Sequence, residues 1–467
     1  MARSSSEDKY NRLRRQFPYF VFEKQEIALN PEGLDIRFTF NLAGQFYFHP
    51  TLFIPRKSFF LPDGAIAGHL DNIVFNIGMI ELISYWKAAC APKLIIRPFS
   101  LHPDQVTWWK KLYFNGLGEF FYLNSIPATK DNFMQVEVAS DAVAPKEKFY
   151  PDAGVIIPVG GGKDSAVTLE LLGKLPGSIP LIMNPRAASI ETIAAMGFSG
   201  EEFIEIRRTL DPLLLQLNDE GFLNGHTPFS ALLAFITVLS AILSGHRHIA
   251  LSNESSASEP TIGGTTINHQ YSKSLGFESG FRTYVHRWIS EEINYFSFLR
   301  PLSELQIASI FSDLPRYHAV FKSCNAGSKT DSWCGQCAKC LFTWIMLSPF
   351  LPDKNLAAIF GKDLLDDPSL QLFLDQVTGI AEEKPFDCVG TIREVNLALC
   401  EAIRQRDASG LPFLLRYYIH TDAYRQYAGV EFEKALLHVE TEHHLQPGFQ
   451  QVLVNALQNR VLKNDRS

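Results

Sequence analysis

The chain has 467 residues, enough for about three domains of ordinary size, and its 46% apolar and 20% charged content excludes a mainly disordered or fibrous protein. With 43 basic against 50 acidic side chains the formal net charge is −7, without the basic footprint of a nucleic-acid binder, so no nucleic-acid partner is expected. Seven cysteines, an odd number, argue against a disulfide framework.

The opening segment, MARSSSEDKYNRLRRQF, has no apolar run behind its basic residues, so it is not read as a secretory signal and a cytoplasmic protein is expected. Residues 1–150 read as an α+β domain. Leu34–Leu42 (LDIRFTFNL) alternates in strand fashion. A helix is predicted over Asn72–Ala88, a strand at KLIIRP, an aromatic helix near Trp108–Phe114 and a strand at MQVEVAS. The many aromatic residues here read as core. Asp141–Asp152, with two prolines and mixed charge, reads as a linker.

From Ala153 short apolar strands alternate with helices. Strands are predicted at Gly154–Val159, Ile179–Met183, Phe203–Ile206 and His248–Ser252, with helices from about Ser165 and near Ile190–Met196. That alternation implies a doubly wound parallel sheet over 151–350. Thr227 to Gly245 carries no charge and by length alone would span a membrane. Its Thr-Pro start, its Ser and Thr content and the flanking His226 and His246 point instead to a buried helix, and no membrane partner is expected. Beyond Phe350 no strand signal persists; Ile392–Ile403 and Glu431–Glu440 have helical periodicity, so 351–467 reads as a helical domain.

The most informative segment is VIIPVGGGKDSAVTLELL, residues 155–172. A strand runs into Gly160, Gly161 and Gly162, and Lys163, Asp164 and Ser165 open a helix. Glycines let a backbone approach an anion closely, and the helix start adds free N–H groups and a partial positive charge. Lys163 and Ser165 supply further donors. Neither the Walker nor the dinucleotide spacing fits. The segment resembles the Ser-Gly-Gly-x-Asp-Ser loop of the ATP-pyrophosphatase (PP-loop) superfamily, with Gly160 in place of Ser. The resemblance implies a PP-loop (HUP-type) fold and ATP split between its α- and β-phosphates, with Mg²⁺ carried mainly by the nucleotide. Asn184, after the next strand, is a candidate for the adenine edge or a turn-former before Pro185. Asn253 and Glu254 follow the strand His248–Ser252, where open α/β sheets bind ligands; Glu254 suits Mg²⁺ or a substrate amine.

Cys324, Cys334, Cys337 and Cys340 form C-x9-C-x2-C-x2-C. Four thiolates at this spacing suit a closed structural Zn²⁺ site, with an iron–sulfur cluster as the alternative. A PP-loop domain ending in RPLSEL (Arg300–Leu305) before such a cysteine set resembles 7-cyano-7-deazaguanine synthase, but the flanking domains do not fit that resemblance.

Over most of its length the chain is similar to the UDP-N-acetylmuramoyl-L-alanyl-L-glutamate epimerase family. The resemblance lies in PVGGGKDS (158–165), NGHTPFSALL (224–233), LSNESSASEP (251–260), NHQYSKSLGFE (268–278) and SWCGQCAKC (332–340). It implies peptidoglycan precursor synthesis, with the terminal L-Glu of a UDP-N-acetylmuramoyl dipeptide inverted to D-Glu at the expense of ATP, giving AMP and diphosphate. Adenylation removes the carboxylate charge that makes the α-proton so weakly acidic. For proton transfer, Cys388 is a candidate thiol base or a buried small hydrophobe. Lys273 is a candidate base or an anion partner, and His226 and His269 are alternatives. A deazapurine amide- or nitrile-forming enzyme and a non-catalytic nucleotide-binding regulator are the competing functions.

Overall fold

The run Val155–Val159 is buried on both faces, as the central strand of a parallel sheet must be, and the fold is built outward from it. The computed structural model describes residues 2–59, 70–146, 149, 151–199, 201–262 and 267–464. Among them eleven strands form one sheet: β1 (Tyr19–Asn30), β2 (Gly33–Leu42), β3 (Phe46–Phe48), β4 (Thr51–Pro55), β5 (Lys93–Ile96), β6 (Gln135–Val138), β7 (Asp152–Pro158), β8 (Ser178–Met183), β9 (Ile204–Thr209), β10 (His246–Leu251) and β11 (Asn294–Ser297). The order is β11-β10-β7-β8-β9-β4-β2-β1-β5-β6, with β3 on β2.

From β11 to β9 every pairing is parallel. The strand order reverses between β7 and β10, which leaves a crevice at their C-terminal ends. The N-terminal strands mix antiparallel hairpins around β2 with parallel β1–β5–β6. Antiparallel pairing of β4 with β9, Thr51 opposite Thr209 and Phe53 opposite Arg207, joins the two halves. Strands from both sides of the predicted boundary thus share one sheet. Of the predicted linker, residues 147, 148 and 150 lie outside the described residues, and 141–146 have no regular structure.

The uncharged stretch is a helix, Phe229–Ser244, ended by Gly245 in the left-handed region at φ 76°. It packs between the parallel strands and the helix Asp71–Glu81, and being covered on several sides it is apolar all round. No described helix is long and apolar enough to cross a membrane. Helix Asp71–Glu81 lies so close to the sheet that a Cβ on Gly78 would stand 2.3 Å from the Phe22 ring. The C-terminal region is helical among the described residues and packs around Ala338–Leu347, all ten residues of which are buried. Its last helix, Pro447–Asn464, returns against the helices Lys163–Leu172 and Glu304–Ser312.

One ion pair ties the halves together. Arg208 of β9 donates to both carboxylate oxygens of Glu81, Nε to Oε2 at 2.9 Å and Nη2 to Oε1 at 2.8 Å. The Glu81 side chain is 1% exposed and that of Arg208 13%. Removing one member of such a pair strands a buried charge. Arg208→Ala is therefore expected to lower stability by about 3–5 kcal/mol, read as the shift in a urea unfolding transition. The double variant Arg208→Met, Glu81→Met should recover most of that loss. A single variant as stable as the parent would show that the joint does not depend on this pair.

Candidate active site

The C-terminal end of β7 delivers Gly160, Gly161 and Gly162 to the start of the helix Lys163–Leu172. Gly161 has φ +87°, and a Cβ there would lie 3.0 Å from the Ala188 carbonyl carbon and 3.1 Å from Ser189 N, so only glycine makes this turn against the neighbouring helix. Gly160 differs: nothing lies within 4 Å of its would-be Cβ. The residue standing where the PP-loop pattern has Ser thus opens the loop toward a cleft. The Lys322 N–H donates to Gly161 O at 2.8 Å and fixes the loop from the other side.

The cleft, about 430 Å³, lies at the C-terminal ends of β7, β8 and β10. Gly160, Gly162, Asp164 and Ser165 line one side; Asn184, Arg186, Ser252, Asn253, Lys273, Lys322, Lys339 and Cys388 line the rest. Four cations against few acids make an anion-accepting wall. The Ser252 hydroxyl is buried there without a hydrogen-bond partner. The Ser165 hydroxyl donates to Gly162 O at 2.9 Å. Asn184, at φ 49°, is held by its own side chain: Oδ1 accepts from Arg208 N at 2.7 Å and Nδ2 donates to Arg208 O at 3.1 Å. Its side-chain amide is committed to the turn, and what it offers the cleft is its edge. Asn253 Nδ2 donates to Ser297 Oγ at 3.0 Å.

Lys163 does not line the cleft. Its side chain is 4% exposed, and its ammonium donates to both Asp164 and Glu304. Burial alone would lower its pKa, but the Asp164 and Glu304 charges outweigh that and keep it raised. Burial drives the Glu304 carboxyl up to about 8 despite the Lys163 attraction, with Asp164 and Glu254 adding to the rise. Asp164 goes down: its burial is outweighed by Lys163, Lys339 and Lys273. Oxygens of Asp164, Glu254 and Glu304 lie within 4.8 Å of one another. Glu254 is thus behind the cleft wall, its backbone carbonyl accepting from buried Arg300.

On the far wall Lys273 Nζ donates to Cys388 Sγ at 3.2 Å. His269 lies close enough to Cys388 for its charge to act on the sulfur, and its Nδ1 meets Glu119 Oε2. His226 Nδ1 stands 3.6 Å from the same carboxylate oxygen, its ring centroid 4.5 Å from that of His269. Burial alone would raise the Cys388 thiol; Lys273, His269 and Lys339 outweigh it and bring the thiol down to about 6. For His269 burial is outweighed by Cys388 and Glu119, which lift it to about 9, whereas burial and His269 push His226 down to about 4.

Cys388 rides on a strap, residues 379–391, pinned from three directions. Lys339 donates to the Cys388 carbonyl, Asn325 Nδ2 to Asp387 at 2.7 Å and Tyr122 to Glu383. The cysteines come together as expected: Cys324–Cys337, Cys334–Cys340 and Cys337–Cys340 sulfurs are 3.8, 3.7 and 3.5 Å apart. One tetrahedral ion with bonds of about 2.3 Å needs sulfurs about 3.8 Å apart. Sequence reading missed Glu304, though it sits in RPLSEL, and Glu119, which no local pattern marks.

Two family models match in chain order, the MurL N-terminal domain over residues 11–298 and the MurL C-terminal domain over 320–428. The chain is 35% identical to the UDP-N-acetyl-alpha-D-muramoyl-L-alanyl-L-glutamate epimerase of Xanthomonas oryzae pv. oryzae (strain MAFF 311018), over 75% of this chain and 78% of that one. A Salinispora tropica protein of the same name is 37% identical over 72% of this chain and 74% of its own. No solved structure matches. The two models and these relatives agree along the length of the sequence: the chain belongs to the MurL family of epimerases.

Proposed function

We propose that the protein inverts the terminal L-Glu of UDP-N-acetylmuramoyl-L-alanyl-L-glutamate to D-Glu in peptidoglycan precursor synthesis, adenylating the α-carboxylate and releasing AMP and diphosphate. The observation that carries this reading is the cleft itself. A glycine loop at a helix start faces Lys273 and Cys388 across one cavity, so a site for phosphate and a site for proton transfer share a single substrate. The order of the five parallel strands, reversing at the strand that bears the loop, supports a PP-loop fold of the HUP type.

In this mechanism the loop N–H groups and the cationic wall hold the triphosphate. The substrate carboxylate attacks the α-phosphate, the α–β bond breaks and diphosphate leaves. Mg²⁺ would supply charge neutralisation on the phosphates; it would come with the nucleotide, since Lys163 already occupies the Asp164–Glu304 pair, and Asp164, a carboxylate of the cleft lining, would hold it. With its charge masked, the acyl group accepts the electron pair of the Cα–H bond, and donors in the cleft stabilise the enolate oxygen. A base takes the proton, an acid returns one on the opposite face, and water releases AMP.

Two outcomes are expected. Diphosphate should appear when ATP meets the UDP-muramoyl dipeptide, with D-Glu in the product by chiral analysis, and Asp164→Ala or Ser165→Ala should lower the rate at least about 100-fold. Diphosphate release that needs ammonia instead of the dipeptide, or wild-type rates in both variants, would overturn the assignment.

The four cysteines fit one structural zinc ion; bound there, it would fix the turn that bears Lys339, whose ammonium donates to the Cys388 carbonyl on the strap. Metal analysis should return one zinc per chain. Cys337→Ser with Cys340→Ser should lose it and unfold at lower temperature, and zinc retained by that double variant would refute the site.

A further inference from the structure

We propose that Glu119, His269 and Cys388 form a relay at the far wall of the cleft, in which Cys388 is the catalytic residue that takes the substrate α-proton and His269 and Glu119 are positioning residues acting through it. The inference rests on the proposed epimerase reading and deepens it, since neither the loop nor the relatives' names say what moves the proton.

Three parts of the chain converge here: Glu119 from the helix Gly118–Leu123, His269 from the loop before Lys273, and Cys388 from the strap. Glu119 is buried, and a buried carboxylate demands donors. It finds one in His269 Nδ1, with His226 Nδ1 standing 3.6 Å away, beyond hydrogen-bond reach. An ionised carboxylate only accepts, so it fixes the proton on His269 Nδ1 and orients the ring. Cys388 in turn stands beside cations, Lys273 Nζ donating to its sulfur at 3.2 Å and His269 acting on it by charge, and it lines the cavity that also holds Asp164 and Ser165. A sulfur in that setting is held as the anion, the reactive form.

The charged and titratable groups around it are Lys273, Lys339 and His269 directly, Glu119 and His226 behind them, and Asp164 and Glu254 beyond Lys273. Asp387, next in sequence, is taken up by Asn325. In the step, the Cα–H bond of the adenylated glutamyl residue breaks, its proton forms the S–H bond of Cys388, and its electron pair passes into the acyl carbonyl. The opposite face takes its proton from water in the cleft, and the thiol later yields its proton to solvent.

The first test needs no nucleotide. Alkylation of Cys388 by iodoacetamide, followed by peptide mass spectrometry on the full chain, should inflect near pH 6. In His269→Gln and Glu119→Gln the inflection should move up by about 1 pH unit or more, toward the ordinary thiol value. Gln can still hydrogen-bond, so a merely structural role for His269 would be rescued and the inflection would stay. The second test measures α-deuterium incorporation from D₂O beside diphosphate release. Cys388→Ser should slow exchange at least about 100-fold more than it slows diphosphate release. Equal slowing of both, or an unmoved inflection in both Gln variants, overturns the relay. A second metal ion per chain, lost on His226→Ala, overturns it too. Absence of diphosphate release in the wild-type protein would sink the adenylation reading instead, and the alkylation profile would still judge the relay.

Discussion

The ammonium of Lys163 lies out of water between Asp164 and Glu304, and the charge balance of the whole cleft follows from it. Without that cation, three carboxylates with oxygens inside 4.8 Å would face one another in a poorly solvated interior, where like charges repel strongly. Lys163 is the first residue of its helix. The glycine turn that sends its side chain inward therefore leaves Asp164 and Ser165 on the cleft. The acids are silenced from behind, and Arg186, Lys273, Lys322 and Lys339 set the sign of the cleft surface.

The N-terminal half contributes to that cleft through contacts, not through chemistry of its own recognisable kind. Its strands extend the sheet at β4–β9, Glu81 anchors Arg208, and the backbone of Arg208 holds Asn184 at the rim. Glu119 reaches His269, and Tyr122 reaches the strap. The helical region does the same from the other side, delivering Cys388 over a knuckle of cysteines. A site assembled this way stays together only while sheet, strap and knuckle keep their relative positions.

Much of this was legible in local sequence. The strand, three glycines and helix of residues 155–172, the buried apolar helix Phe229–Ser244 and the cysteine spacing each carry their signal within a few dozen residues, where periodicity and turn chemistry act. What escaped was non-local. Lys163 reads as a phosphate donor beside glycines, and only Glu304 across the fold turns it inward. His269 and Cys388 each read as proton-transfer candidates, but their meeting with Glu119 does not show in a chain where the three are far apart, and a lone acid in GEFFYL has no motif to betray it. β1 was overlooked because its first half is buried without alternation, and β11 because four residues are too few for a period to show.

Lys273 and Lys339 serve two neighbours at once, the open cleft and the Cys388 sulfur. On the proposed reading, a polyphosphate entering the cleft shares their positive charge and weakens its hold on the thiolate. The sulfur of the loaded enzyme is then the stronger Brønsted base, and that of the empty enzyme the weaker. Basicity arrives with the nucleotide, so the order of events, activation before deprotonation, is written into a pair of lysines without any moving part.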